Sequence, residues 1–149
     1  MRTRFNATIT LLLLCQIVVG SSGYAEEKPV SFQNDVLPVF MRNSCNAGDC
    51  HGAARGKDGF LLSLFGYDPA GDYYRLTEEL VGRRINLANP DKSLLLQKAT
   101  ANVKHSGGEL FDFDSESYEI IYRWIAAGAP RDPENVAEVT GIRMEPSVI

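Results

Sequence analysis

Cys45-Asn46-Ala47-Gly48-Asp49-Cys50-His51 is the stretch on which the reading of this chain turns. Two cysteines followed at once by a histidine read as a covalent haem attachment site. In c-type attachment two thiols add to the two vinyl groups of one porphyrin edge, and the residue after the second cysteine places its imidazole under the iron. Adjacent Cys50 and His51 meet that demand. The common spacing puts two residues between the cysteines, whereas here four intervene. The loop must therefore bulge, and Gly48 is the residue expected to take the positive φ of such a bulge. Two competing readings attach to the same residues. A Cys45–Cys50 disulfide would close a small loop and leave His51 an ordinary polar side chain. A zinc site would need four Cys, His or acidic ligands, and the sequence offers no second Cys/His pair to complete it.

The N-terminus predicts export. Arg2 and Arg4 form a basic region, residues 9–19 are apolar, and Gly23-Tyr24-Ala25 offers small residues for cleavage, so residues 1–25 read as a signal peptide. The apolar run is too short to span a bilayer comfortably. Cys15 follows four leucines rather than small residues, which argues against a lipid-modified N-terminus. The mature chain is thus expected to be exported, to the periplasm, with no transmembrane span. Once Cys15 is removed, Cys45 and Cys50 remain in an oxidising compartment where free thiols are a liability. Either a disulfide or two thioethers would satisfy them, and the adjacent His51 favours thioethers. At 149 residues and a net charge of −4 the chain has the size of one modest domain. Its 44% hydrophobic and 23% charged content excludes a disordered or multi-span membrane protein. Acidic charge and export predict no nucleic-acid partner.

Outward from the motif, apolar spacing predicts helices. Ser31 caps a helix over 32–42 carrying Phe32, Val36, Leu37 and Phe40, with Pro38 expected to kink it or delay its start. Met41 on that helix reads as core. Residues 52–59 form a polar, glycine-rich loop. A phosphate-loop reading fails there, because the spacing is one residue short and Asp58 stands where Ser or Thr should bind magnesium. The apolar run 60–65 is expected to wall a haem pocket. A second helix is expected over 72–81, with Tyr73, Leu76, Leu80 and Val81 inward and Gly82 as its stop. Asn89-Pro90 opens a short helix through Leu94, Leu95 and Leu96 to about Thr100. Residues 101–113 form a loop holding His105-Ser106-Gly107-Gly108. Asp114 or Ser115 caps the last helix, with Tyr118, Ile121, Tyr122 and Ile125 as its buried stripe. Trp124 flanks that stripe, against the haem edge, and Gly128 and Pro130 end the helix. The predicted architecture is all-α: a small domain over 26–131 wrapped around one covalently bound haem. Such a domain buries little core unaided, and a bound cofactor adds to its stability. Residues 132–149 read as a tail or the start of a following domain.

A cysteine motif behind an N-terminal helix, and a last helix ending Trp124-Ile125-Ala126-Ala127-Gly128-Ala129-Pro130, resemble cytochrome c domains. The likeness is to the planctomycete-type domains near the N-terminus of large exported proteins. It runs through 45–52, 59–66, 82–89 and 93–100 in order, and covers roughly residues 30–131. In that family an immunoglobulin-like domain usually follows, and residues 141–149 resemble its first strand. The resemblance implies a cytochrome c-like fold with one haem c. It also bears on the second axial ligand of the iron. In the resembling cytochromes that ligand, normally Met, lies in the loop before the last helix, and His105 occupies that place here. Met144, or an open or water-bound site, are the alternatives, and His105 also admits reading as a solvated loop residue. Arg83 and Arg84 are expected to partner the haem propionates, with Arg55, Lys98 and Lys104 as other cations. The expected function is electron transfer by a monohaem, bis-histidine cytochrome, without catalysis and with an unidentified redox partner protein. The alternative is a haem enzyme or gas sensor with an open distal site, where an unbound His105 would serve as base.

Overall fold

Ser31 opens the first helix with a reciprocal cap. Its Oγ accepts the Asn34 N–H at 3.0 Å, and the Asp35 carboxylate accepts the Ser31 N–H at 2.7 Å. Phe32–Val36 then winds as a π-helix that runs directly into α1 (Leu37–Arg42). Pro38 accounts for the wide turn: it has no N–H to donate and its ring crowds the carbonyl four residues back. Bonding one residue further back avoids that conflict, as in Val36 N–H to the Ser31 carbonyl at 3.2 Å and Leu37 N–H to the Phe32 carbonyl. The computed structural model describes residues 28–143 and Glu145. The expected signal peptide and Met144 lie outside these.

Two further N–H groups of that helix end find a partner far along the chain. The Asp132 carboxylate accepts the Phe32 N–H at 3.0 Å and the Gln33 N–H at 2.7 Å. A carboxylate at a helix N-terminus is favoured by the exposed amides and the helix dipole. Asn34 Nδ2 adds a bond to the Ala137 carbonyl at 2.9 Å. The stretch after residue 131 is thereby laid back on the first helix.

Helix α2 (Pro69–Thr77) begins and ends earlier than its apolar spacing predicts. Asp68 caps it, accepting the Gly71 N–H at 3.0 Å, and Pro69 takes the first position, where a missing N–H costs nothing. Leu80 and Val81 fall in the turns beyond its end and are exposed, Val81 to 85%, so the inward placement expected of them is corrected. A 3-10 turn (Pro90–Lys92) precedes α3 (Leu94–Ala99), and α4 (Glu116–Ala126) starts where Ser115 Oγ accepts the Tyr118 N–H at 3.1 Å. The described residues contain no strand, only an isolated bridge between Lys57 and Phe60, so the class is all-α. None of their helices is long and apolar enough to cross a membrane.

The core lies between the first helix and α4, with α3 on the other flank of α4. Val36, Val39, Phe40, Leu96, Ile121 and Ile125 are fully buried there. Trp124 lies in this core beside the stripe. It is fully buried, with ring centres 5.2 Å from Phe32 and 6.3 Å from Tyr73, and its indole N–H donates to the Pro130 carbonyl at 3.0 Å. Met41 is 48% exposed, because the last turn of α1 carries it out of the core. Asp72 is fully buried on α2 and accepts both the backbone N–H and the hydroxyl of Ser63 at 2.6 Å, with Arg75 at 3.2 Å. These bonds fasten the end of the 60–63 segment, and with it one cavity wall, to α2.

Candidate functional site

Ser44, at φ 58°, turns the chain out of α1, and the Cys45 N–H returns to the Phe40 carbonyl at 2.8 Å. The four residues between the cysteines then fold as tight turns. Cys50 N–H bonds the Ala47 carbonyl and His51 N–H bonds the Cys45 carbonyl, both at 3.0 Å. Gly48 has no positive φ, contrary to expectation; the left-handed residue stands before the first cysteine, at Ser44. Gly52 is the glycine this loop needs. A Cβ there would lie 2.1 Å from the Asn46 carbonyl oxygen, well inside contact distance.

Cys45, Cys50, His51 and His105 line one cavity of about 480 Å³, within the range of cofactor pockets. Phe40, Phe60, Leu62 and Leu95 supply apolar wall. Of the 60–65 run only Phe60 and Leu62 face it, while Leu64 and Phe65 are exposed on the outside. Trp124 does not line the cavity either; its indole is spent in the core behind it. The cysteines are both unpaired thiols. Burial pushes the Cys45 thiol up to about 12, against an opposing backbone hydrogen bond, so it stays protonated at neutral pH.

Both imidazoles are oriented in the same way. His51 Nδ1 lies 3.0 Å from the Phe60 carbonyl oxygen, and His105 Nδ1 lies 2.9 Å from that of Gly108. A carbonyl oxygen can only accept, so each Nδ1 carries a hydrogen and each Nε2 is the nitrogen left for another partner. This is the arrangement in which metal-binding histidines are held by their surroundings. Burial lowers the pKa of His51, with His105 adding to the effect and the Phe60 carbonyl opposing it, which favours the neutral ligand form. The two rings are 6.2 Å apart between centres, with planes 9° from parallel.

Among the described residues no group of three or more His, Cys, Asp or Glu side chains is placed to hold a metal ion. Of the expected propionate partners, Arg84 is buried and already engaged. It pairs with Glu79 at 2.9 Å, donates to the Arg75 carbonyl at 2.7 Å, and lies 4.6 Å over the Phe60 ring. Arg83 also lines the cavity but is exposed, as solvent-facing carboxylates would require, and Lys57 and Lys98 line it too. Arg55 and Lys104 do not. Asp58 belongs to the wall as well, although sequence reasoning passed over it. Buried Asn46, whose side-chain amide has no partner, was passed over too. In comparisons with known proteins, no family model, no curated protein and no solved structure matches this chain.

Proposed function

We propose that this protein is a monohaem c-type cytochrome acting in electron transfer, with a cytochrome c-like fold and a bis-histidine iron. The observation that carries the reading is the convergence of two unpaired thiols and two Nδ1-tethered imidazoles, 6.2 Å apart, on one cavity. Cys45 and Cys50 would each add sulfur and hydrogen across one vinyl double bond, with no leaving group. His51 and His105 would hold the iron. When bound, the haem supplies a one-electron iron couple whose potential the axial ligands and burial set. The chain's part is to keep both imidazoles aimed, with burial favouring the neutral form of His51, to exclude water with Phe40, Phe60 and Leu62, and to meet the propionates with Arg83 and Lys98. Arg84 acts through Phe60, holding that ring in the wall. Export by a signal peptide over 1–25, and the likeness to planctomycete-type domains, belong to the same proposal, since haem c is attached on the exported side of the membrane. The electron partner would be another protein, of a kind the cavity does not specify.

A second reading has one observation in its favour: His105 sits on an exposed loop. A haem enzyme or gas sensor would release that ligand and leave an open site. Carbon monoxide separates the two. The reduced wild type is expected to bind it weakly and to show a low-spin spectrum. The double variant Cys45→Ala, Cys50→Ala is expected to lose the haem stain on a denaturing gel. A stain that persists in that variant would sink the attachment, and ready carbon monoxide binding by the wild type would favour the open site.

A further inference from the structure

His51 is carried on a loop closed by its own backbone bonds, but His105 is placed differently. Most of residues 101–110 are exposed, so packing does not fix the ring. Backbone bonds from Val103 to the Gln97 carbonyl and from Leu110 to the Ala99 carbonyl anchor the ends of the loop, and three side-chain contacts hold its middle. His105 Nδ1–H donates to the Gly108 carbonyl at 2.9 Å, Ser106 Oγ donates to Asp58 at 3.3 Å, and Lys98 Nζ donates to the Lys104 carbonyl at 2.5 Å. The neighbouring glycine pair adds a constraint of shape. A Cβ on Gly107 would lie 2.9 Å from His105 Cε1 and 3.4 Å from each ring nitrogen. The imidazole therefore occupies the space that any side chain at 107 would claim. Gly107 itself has no left-handed φ, so alanine suits its backbone and only the ring objects. Gly108 does have one, φ +75°, and its N–H bonds the His105 carbonyl at 3.1 Å, closing the turn that presents its own carbonyl to Nδ1.

We infer that Gly107 and Gly108 are positioning residues for His105: Gly107 by leaving room for the ring, Gly108 by turning its carbonyl onto Nδ1. The inference rests on the reading of His105 as an axial ligand. It makes His105 a ligand set by local shape, so a single methyl group can dislodge it without touching the iron or the core.

The experiment uses the full-length holoprotein and compares wild type with Gly107→Ala, Gly108→Ala and His105→Ala. Its readouts are the ferric spectrum, carbon monoxide affinity of the reduced form, and far-ultraviolet circular dichroism. Gly107→Ala is expected to keep its helix content, show a high-spin fraction, and bind carbon monoxide roughly tenfold more tightly as the open form gains population. Added free imidazole should restore its low-spin spectrum, and with helix content unchanged the defect is then confined to the vacated ligand position. Gly108→Ala should do the same, and it decides the matter if Gly107→Ala loses helix content. A low-spin spectrum and unchanged carbon monoxide affinity in both glycine variants, beside a high-spin His105→Ala, would overturn the inference and leave the axial reading standing. If the wild type carries no covalent haem, or His105→Ala is spectrally silent, the axial reading falls and the inference with it.

Discussion

Trp124 and His105 stand in regions held together by different means. Around Trp124 the first helix, Tyr73 and α4 interlock, the indole N–H is satisfied by Pro130, and Asp132 completes the helix end beside it. Around His105 most neighbours along the chain are exposed, and each imidazole is held by one carbonyl beside a cavity. The first region is stabilised by apolar burial and dispersion, which act without any ligand. In the second, Phe40, Phe60, Leu62 and Leu95 face space that a bound molecule would fill. The difference teaches that one region is closed by apolar packing, while the other borders a cavity.

Three measurements test that contrast. Trp124→Ala carries the largest expected effect, a loss of about 3–5 kcal/mol, read from the urea midpoint. A loss under about 1 kcal/mol would mean that apolar packing does not close the Trp124 region. Next comes Asp132→Ala, which strips two amides of their carboxylate and should cost about 1 kcal/mol. Hydrogen exchange should rise at residues 31–36 and stay unchanged at 45–51 and 105–108. Exchange that rises around the cavity as well would break the separation of the two regions.

The smallest effect is the pH dependence of the haem-free protein, made as the double variant Cys45→Ala, Cys50→Ala. His51 is held below its ordinary 6.5, mainly by burial, so the unfolded chain takes up its proton first. Its contribution is whole above pH 6.5 and is lost as pH falls from there through the lower folded value. The urea midpoint of that variant should therefore drop between pH 7.5 and pH 5 by more than in the same chain carrying His51→Gln. Equal drops would show that cavity-side burial does not bear on stability.

Much of the helical layout was legible in the sequence. Ser31 and Ser115 cap where their side chains predict, and Gly128 follows the last helix, because capping acts within a few residues of itself. Asn89-Pro90 opens only a 3-10 turn without a side-chain cap, and α3 starts anew after Ser93. A cap of the same kind as at Ser31 stands at Asp68-Pro69, and α2 starts there, earlier than its apolar spacing places it. Leu80 and Val81 fit a helical stripe but lie beyond the helix that would have turned them inward. Trp124 lies beside the stripe that spacing marks on one helix face. Its burial comes from Phe32 and Tyr73, which approach from two other elements.

By itself the sequence determined the class, the helix caps and the identities of Cys45, Cys50, His51 and His105, since these follow from residue types and short spacings. Only the tertiary structure decided how those four residues meet, because their meeting depends on contacts between distant segments. It brought His105 across 54 residues to lie parallel with His51. It spent Arg84 on Glu79 and left Arg83 exposed. It moved the strained residue of the loop from Gly48 to Ser44, and it gave Asp132 to a helix a hundred residues away. A pattern along the chain shows which side chains can bond. Which carbonyl, carboxylate or ring faces each one is settled when the helices pack.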